Sequence, residues 1–551
     1  MLRARYRHIL RFREIGEILT KHGLGQLVDF LQRGEAHVFN RKKGDGKTVL
    51  SLAQRFRMAL EELGPTFVKL GQLLSTRPDL LPPELILELE RLQDRVQPLP
   101  FQQVKAVLEA ELGVDYLEVF AYLEEEALGA ASIGQVHRGK LSTGEEVVVK
   151  IQRPGIERVI GTDLEILFDA ARLVQSRTKW GAFYRVVDMA EEFANSIKEE
   201  VDYTIEGRNA DRFAGYFSGD PTVRFPKVFW EFSSPRVLTL EYVAGIKINN
   251  FTALKEQGHN LSNVAKNTAN AIFRQIYIHG FFHADPHPGN LAVLEGESIF
   301  FMDFGQVGRL DEELRAKLVS LVLAVVRQDT RAIVEILLEV GKAHETVNKN
   351  KLHKDINRLM VKYYDLPLRQ LKLGDVMREM LQMAFVYQIR VPAEITLLAK
   401  TLVTLEGLVK QLDPAVSIVD LAEPFGKVLL REKFSPHRLK RFFINNGYDL
   451  VALLLRLPRR LDNLVSQIER GQLKVQLEHQ KYHQFVDKIT QASNRLAVSI
   501  IVAAIIMGTS MLALKTEKSI LWRFPIAEIG FIAAVIMGFW LLISILRSGR
   551  Q

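Results

Sequence analysis

The spacing of apolar residues changes along the chain and divides it into helical and mixed regions. Up to about residue 110, apolar residues recur at intervals of three and four, as in 9–19 and 50–63, which predicts helices. From about residue 115, short apolar runs bounded by turns predict strands, among them 147–150, 237–245 and 300–302. Helical spacing returns beyond 310. The pattern therefore predicts an α+β fold with a helical N-terminal extension.

Two stretches near the C terminus are apolar and long enough to cross a bilayer. Residues 496–514 contain no charged side chain, and residues 526–546 contain one, Glu528. About 20 apolar residues span a hydrocarbon core, and the short linker 515–523 predicts a transmembrane hairpin. Lysine and arginine are somewhat more frequent on the outer flanks, which places the bulk of the protein on the cytoplasmic side. A buried hairpin of a soluble protein is the alternative.

The length, net charge and cysteine content of the chain limit which domain organisation and binding partners are expected. A chain of 551 residues is too long for one core and predicts several domains. The net charge is +8 without a long run of lysines or a zinc-finger pattern, so anionic lipid and nucleotide phosphate rank above nucleic acid as partners. The absence of cysteine excludes disulfides, thiolate chemistry and Cys-type zinc sites, and it suits a reducing compartment.

The densest candidate chemistry lies in 283–290, His-Ala-Asp-Pro-His-Pro-Gly-Asn, followed by Asp-Phe-Gly at 303–305. Asn290 comes five residues after Asp285, and Asp303 comes thirteen after Asn290, the spacing with which kinase-like folds hold Mg-ATP. Mg²⁺ prefers carboxylate and amide oxygens, so Asn290 and Asp303 are the candidate metal ligands. Asp285 is the candidate catalytic carboxylate that orients a hydroxyl or water. Each triplet alone is ordinary turn chemistry, and the joint spacing indicates the site.

A glycine-rich turn between two predicted strands precedes that stretch. Residues 129–136 fit G-x-G-x-x-G-x-V except that the middle glycine is Ala131, and Lys150 follows Val136 by fourteen residues. This order is typical of a kinase nucleotide loop and its phosphate-pairing lysine, although such a turn by itself is more often only a hairpin. An alanine methyl narrows or redirects the approach of phosphate to the backbone N–H groups. The candidate nucleotide-binding residues here are Gly129, Ala130, Ala131, Ser132, Gly134, Val136 and Lys150.

Charged residues on two flanking helices complete the candidate site. Lys69 and Gln72 share one face of a helix that begins at Pro65, although a lone lysine there is more often simply solvated. Further along, one of the carboxylates of Glu200, Asp202 and Glu206 should pair with Lys150, and the others are available to another cation; a solvated helix face is the alternative.

The predicted strand 237–245 occupies the place of a kinase hinge, where backbone groups hold adenine. Glu241 and Val243 therefore join the candidate nucleotide-binding residues. Beyond Gly305 there is no Ala-Pro-Glu at the usual distance, so the element that shapes a platform for protein substrates is missing.

These motifs, in this order, resemble the UbiB/AarF family of atypical kinase-like proteins: Lys-x-Gly-Gln at 69–72, the alanine-containing loop, Glu-x-Asp at 200–202, the 283–290 stretch and Asp-Phe-Gly. Two departures are Gly129, where the family loop often has alanine, and the lack of a proline at 126–128. The resemblance implies a two-lobed protein-kinase-like fold. The expected domains are a helical extension (1–112), an N-lobe (113–245), a C-lobe (246–430), a membrane-proximal helical region (431–494) and the transmembrane hairpin (495–547).

The resemblance also implies roles and partners. Lys69 would lie over the active site and pair with Glu200 or Asp202, while Lys150 would pair with Glu206. The expected ligands are ATP, Mg²⁺, membrane lipid and an isoprenoid-quinone intermediate, with quinone-biosynthesis proteins as possible partners and the bacterial inner membrane as the location. The expected activity is that of an ATPase, and the alternatives are a genuine protein or small-molecule kinase and a nucleotide-binding scaffold without turnover.

Overall fold

The computed structural model describes residues 2–25, 50–92, 96–343, 347–364, 373–422, 424–425, 493, 496–508, 510–511, 532 and 535–538. The chain divides into two compact units, Met1–Lys440 and Arg441–Gln551. Everything described below about strands, packing and the candidate site belongs to the first unit.

The N-terminal part of the first unit is helical, as its apolar spacing predicts. Ser51 closes a capping box with Gln54 at the start of the second helix, and Pro65 occupies the first turn of the third. Buried leucine, isoleucine and phenylalanine side chains from these helices form one apolar cluster. The helices are Leu2–Lys21, Leu52–Leu63, Pro65–Ser75, Pro83–Leu89, Phe101–Leu112 and Tyr116–Val119.

An antiparallel sheet follows. Its strands are β1 (Phe120–Leu123), β2 (Gly129–Ala130), β3 (Gly134–Leu141), β4 (Glu146–Gln152) and β6 (Val237–Glu241). The strand order is β1-β3-β4-β6, and the short β2 pairs with β3. Side chains alternate between buried and partly exposed along β3 and β4, because successive residues of a strand point to opposite faces. The buried face packs on the helix Phe101–Leu112.

Four helices connect β4 to the rest of the unit: Ile156–Arg177, Lys179–Tyr184, Val186–Val201 and Tyr203–Tyr216. The break between the last two falls at Asp202, whose side chain accepts the Thr204 N–H and caps the new helix. Asp202 is therefore the N-cap residue of the helix Tyr203–Tyr216.

Short strands carry the candidate catalytic stretch. The strands are β5 (Val223–Arg224), β7 (Ile246–Lys247), β8 (Phe281–His283), β9 (Leu291–Val293), β10 (Ile299–Phe301) and β11 (Val307–Arg309). Four of them form a second sheet in the order β5-β10-β9-β7, and a separate antiparallel pair joins β8 to β11. The helices Phe251–Glu256 and Leu261–Phe273 precede β8, and a π-helical turn, Arg274–His279, leads into it.

The helices Glu312–Val326, Thr330–Val340, Lys349–Tyr364, Leu373–Val386 and Ala393–Leu412 follow, with a small pair of strands, β12 (Lys342–Ala343) and β13 (Ile389–Arg390). The last of these helices runs through the main core, where Leu398, Leu402 and Leu405 pack with Ala284 and Phe304. This packing places the helix directly behind the candidate catalytic stretch. The predicted α+β fold class, with helices and strands in one unit, is confirmed.

Among the described residues, no helix combines the length and apolar character that a bilayer crossing requires. Of the two expected spans, only 496–508, 510–511, 532 and 535–538 are described, so the expected hairpin lies largely outside this part of the chain and stays a prediction. The expected membrane-proximal region 431–494 lies outside the described residues except for residue 493.

Candidate active site

A cleft of about 680 Å³ brings together most of the residues predicted to bind nucleotide. Its walls come from the helix Pro65–Ser75, the β2–β3 turn, β4, the Glu200–Glu206 segment and the loops around β8 and β10. The predicted site residues that line it are Lys69, Gln72, Gly129, Ala130, Ala131, Gly134, Val136, Lys150, Glu200, Glu206, Asp285, Asn290 and Asp303.

The loop that carries Asp285 is tied at both ends. The Ala284 N–H donates to the Gln306 carbonyl at 3.0 Å, and the Asn290 side-chain amide donates to the Asp285 carbonyl at 3.2 Å. The Asp285 N–H donates to Nδ1 of His283 at 3.2 Å. These bonds hold Asp285 and Asn290 against each other, and the side-chain oxygen of Asn290 is the atom that remains for a ligand.

His283 is a structural link between the two acidic loops. Its Nε2 hydrogen bonds with the Asp303 backbone carbonyl, and only 1% of the residue is exposed. Burial lowers the pKa of His283, so its imidazole is neutral at physiological pH. A neutral ring that donates to the carbonyl of Asp303 fixes the start of the Asp-Phe-Gly turn without adding a charge.

Asp303 remains a carboxylate in this setting. Burial opposes its charge, but the nearby ammonium group of Lys150 and the Gly305 N–H, which donates to Oδ1 at 2.8 Å, lower its pKa. An ionised carboxylate beside an amide oxygen is the donor set that a hard cation prefers.

Lys150 pairs with Glu206, as the resemblance implies. The Lys150 Nζ lies 2.7 Å from Glu206 Oε2 and 3.9 Å from Asp303 Oδ2. Burial disfavours the ammonium charge, but these two carboxylates raise the pKa of Lys150 well above its ordinary value. Its Nζ also lies 5.2 Å from the centre of the Tyr203 ring. Lys150 is therefore a permanent cation inside the cleft.

Lys69 forms an ion pair with Glu200, so the helix Pro65–Ser75 is joined to the end of the helix Val186–Val201. Gly71, between Lys69 and Gln72, faces the leucines of the N-terminal cluster. A Cβ at Gly71 would lie 2.3 Å from Leu92 Cδ1, so only glycine fits there without movement. The motif thus combines a polar face over the cleft with a backbone pressed against the core.

The nucleotide loop is a tight turn between β2 and β3. The Ala131 N–H donates to the Gly134 carbonyl at 2.8 Å, and Arg153 Nε donates to the Ala131 carbonyl at 3.0 Å. A Cβ at Gly134 would lie 2.1 Å from the Tyr203 hydroxyl and 2.6 Å from the Ile151 carbonyl. Close approach of the loop to β4 and Tyr203 therefore explains the glycine at 134.

Four predicted residues are not brought to the cleft. Ser132 is a buried residue of the loop and does not line the cleft, and Asp202 caps a helix. The Glu241 carboxylate bonds to Arg224 at 2.5 Å and to the Lys227 N–H at 3.2 Å, and Val243 does not line the cavity. The hinge assignment of Glu241 and Val243 stays a prediction about their backbone groups.

Three family models match successive parts of the chain. The family model of the ABC1 atypical kinase-like domain matches residues 91–337, that of the UbiB helical domain 356–417, and that of the ABC1/UbiB kinase-like C-terminal domain 480–547. A protein of Cellvibrio japonicus named "Probable protein kinase UbiB" is 33% identical over 434 residues, which is 78% of this chain and 79% of that protein. The chain belongs to the ABC1/UbiB kinase-like family.

A further relative spans nearly the whole chain. The "Uncharacterized protein in hydrogenase 1 5'region" of Clostridium pasteurianum is 33% identical over 542 residues, 98% of this chain and 99% of that protein. A solved complex of Rv3197 with erythromycin from Mycobacterium tuberculosis aligns with a TM-score of 0.46 at 24% identity, covering 66% of this chain and 93% of that one. The predicted kinase-like family is confirmed by the family models and the Cellvibrio japonicus relative.

Sequence reasoning missed several residues of this UbiB-family cleft. Lys400, Gln306, His287 and Tyr203 all line it. Gln306 follows Asp-Phe-Gly directly and could have been included for that reason. Lys400 lies 115 residues beyond Asp285 in a helix with ordinary apolar spacing, so no local signal marks it.

Proposed function

We propose that this protein is a membrane-anchored, Mg-ATP-dependent ATPase of kinase-like fold that supports the biosynthesis of ubiquinone or another isoprenoid lipid. The observation that carries the proposal is the meeting, in one cleft, of the Lys150–Glu206 pair with Asp285, Asn290 and Asp303. Family membership supports a kinase-like activity and ATP as a ligand.

The donor set fits Mg²⁺. Asp303 offers an ionised carboxylate, and Asn290 offers an amide oxygen whose partner nitrogen is already bonded to Asp285. Mg²⁺ usually takes only one or two protein ligands and completes its octahedron with phosphate and water. When bound, the ion supplies positive charge that shields the phosphates during transfer.

The protein's own residues have distinct roles in the proposal. Lys150, held by Glu206, pairs with ATP phosphates as a fixed cation. Asp285 orients the attacking water through its carboxylate. Lys69, bound to Glu200, keeps the helix Pro65–Ser75 over the cleft. A covered cleft together with the missing Ala-Pro-Glu favours water or a small acceptor over a protein substrate.

The membrane part of the proposal comes from residues 496–514 and 526–546. Their apolar length and the match of residues 480–547 to the family's C-terminal domain support an anchor in the bacterial inner membrane with the catalytic unit in the cytoplasm. Alkaline extraction of membranes and protease accessibility from either side test this arrangement, and release of the full chain by alkali would contradict it.

The activity is tested with the purified full-length protein in liposomes containing anionic lipid. We expect phosphate release from Mg-ATP and its loss in Asp303→Asn, because the neutral amide removes the charge at the candidate metal site. Asp169→Asn is the matched control, since Asp169 is exposed on the helix Ile156–Arg177 and does not line the cleft. An unchanged rate of phosphate release in Asp303→Asn would contradict the ATPase assignment.

Three further measurements distinguish the alternative functions and test the metabolic role. Transfer of labelled γ-phosphate to an acceptor instead of water would identify a kinase, and nucleotide-induced thermal stabilisation without phosphate release would identify a scaffold. Quinone profiles of a strain that lacks the protein test the metabolic part, and an unaltered profile would remove quinone synthesis from the proposal.

A further inference from the structure

Lys400 is a third lysine of the cleft, and it comes from the helix Ala393–Leu412. Its Nζ lies 3.1 Å from Asp285 Oδ1 and donates to Gln306 Oε1 at 3.3 Å. This helix lies beyond the part of the chain that matches the kinase-like domain and within the part that matches the UbiB helical domain. A residue from a different segment therefore reaches the candidate catalytic aspartate.

The position of Lys400 is fixed by its neighbours on the helix. The Thr401 hydroxyl lies 3.3 Å from the Ala284 carbonyl, one residue before Asp285, and 2.9 Å from the Leu397 carbonyl of its own helix. Leu402 and Leu405 are buried in the main core. The helix therefore packs directly against the catalytic loop, and this packing fixes the point from which the Lys400 side chain reaches Asp285.

Each of the three lysines that line the cleft pairs with a different carboxylate. Lys69 pairs with Glu200, Lys150 pairs with Glu206 near Asp303, and Lys400 pairs with Asp285. A γ-phosphate that approaches Asp285 for in-line attack would face a carboxylate of its own sign. A cation at that end of the cleft offsets the repulsion, and Lys400 is the lysine placed there.

We infer that Lys400 binds the γ-phosphoryl group of ATP and keeps it beside Asp285, a role that rests on the proposed function. In hydrolysis the water oxygen bonds to Pγ, and the bond from Pγ to the β,γ-bridging oxygen breaks with its electron pair leaving on ADP. The proton of the water passes to the Asp285 carboxylate and then to solvent. Lys400 retains its own protons throughout and offers its charge to the phosphoryl oxygens.

The rival role for Lys400 is that of a counter-ion for Asp285 alone. The two roles differ in one measurable respect. ADP lacks the γ-phosphate, so a phosphate-binding lysine contributes to the affinity for ATP and contributes little to the affinity for ADP. A counter-ion that only shapes the loop affects both nucleotides alike.

The test measures equilibrium affinities of the full-length protein for Mg-ATP and Mg-ADP. We expect Lys400→Met to weaken ATP binding by about tenfold or more, as loss of a charge-assisted contact does, while ADP affinity changes by less than about twofold. Lys400→Gln, which keeps a polar group beside Asp285 and guards against misfolding of the methionine variant, should show the same selective loss. Lys400→Arg should retain most of the preference for ATP.

Lys354→Met is the matched control, because Lys354 is exposed on the neighbouring helix Lys349–Tyr364 and does not line the cleft. Equal weakening of ATP and ADP in Lys400→Gln, or no change in either, would overturn the inference. The binding assay needs no turnover. If the wild type releases no phosphate but the Lys400 variants lose the preference for ATP over ADP, the ATPase proposal fails and this inference stands. If the wild type hydrolyses ATP and the Lys400 variants keep the preference, the ATPase proposal stands and this inference fails.

Discussion

Replacement of Gly71 by alanine tests why a glycine stands inside the Lys-x-Gly-Gln motif. An added Cβ would lie 2.3 Å from Leu92 Cδ1, 2.8 Å from Leu60 Cδ1 and 3.5 Å from Leu89 Cδ2. Carbon atoms rest at about 3.5–4.0 Å, so the first contact requires a shift of more than about 1 Å. The three leucines are 6%, 3% and 0% exposed, which leaves little room to absorb the shift within the core.

The magnitude follows from two opposing contributions. Overpacking of a core costs about 1–3 kcal/mol, and alanine gains about 0.5–1 kcal/mol over glycine within a helix. We expect Gly71→Ala to lower the free energy of unfolding by about 1–2 kcal/mol. Because Lys69 and Gln72 lie on the same helix, displacement of that helix should also weaken the Lys69–Glu200 pair and change nucleotide affinity.

Gly161→Ala is the matched control for this substitution. Gly161 lies within the helix Ile156–Arg177, and a Cβ there meets no atom within 4 Å. The same change should therefore raise stability by up to about 1 kcal/mol. Denaturant unfolding of both variants, with ATP affinity measured in parallel, provides the comparison. Stabilisation of Gly71→Ala to the same extent as Gly161→Ala would refute the close-packing explanation.

Three further substitutions test other contacts. Arg77→Met should destabilise the protein by about 3–5 kcal/mol in denaturant unfolding, since it leaves the fully buried Asp79 carboxylate without its bidentate partner; a smaller loss than that of an exposed arginine variant would contradict this. Tyr203→Phe should leave the melting temperature unchanged or raise it, because the buried Tyr203 hydroxyl has no hydrogen-bond partner among the described residues. A marked fall in melting temperature would contradict this. Burial lowers the pKa of His137, so the unfolded chain binds more protons and stability falls below about pH 6.5, by up to ~1.4 kcal/mol per pH unit. His137→Gln should flatten the dependence of melting temperature on pH, and an unaltered slope would exclude His137 as its source.

The local spacing of residues was sufficient to predict the helical and mixed regions and to predict which residues of much of the candidate site lie together. Asp285, Asn290 and Asp303 lie within one segment of nineteen residues. Its turns and short strands leave the backbone few alternative paths, so the three side chains come together. The β2–β3 turn and Lys150 are likewise connected by a single hairpin. In each case the residues are close in sequence, so a period and a turn signal determine which side chains meet.

The contacts that sequence reasoning missed are of two kinds, packing between distant segments and a local helix cap. Lys400 reaches Asp285 only because the apolar face of its own helix is buried behind the catalytic loop. Glu241 bonds to Arg224 and the Lys227 N–H, which are not its neighbours in sequence. These two contacts follow no periodic pattern in the sequence. Asp202 instead caps the next helix through a local hydrogen bond to the Thr204 N–H, which competes with continuation of the first helix.

The attachment of the N-terminal extension bears on whether a protein substrate can enter the cleft. Beyond the Lys69–Glu200 pair, Arg77 lies 3.7 Å from Glu192 on the same helix Val186–Val201 and donates to the Val391 carbonyl at 3.2 Å. Arg77 is 4% exposed, but the Glu192 side chain is 35% exposed, and Asp79, the buried partner of Arg77, belongs to the same segment and would move with it. Lifting this segment to admit a peptide would break the hydrogen bond from Arg77 to the Val391 carbonyl, and a hydrogen bond from a charged group contributes about 1.5–3 kcal/mol. That cost lowers the open population by about one to two powers of ten. Water and small acceptors need no such opening, and this difference favours ATP hydrolysis over peptide phosphorylation.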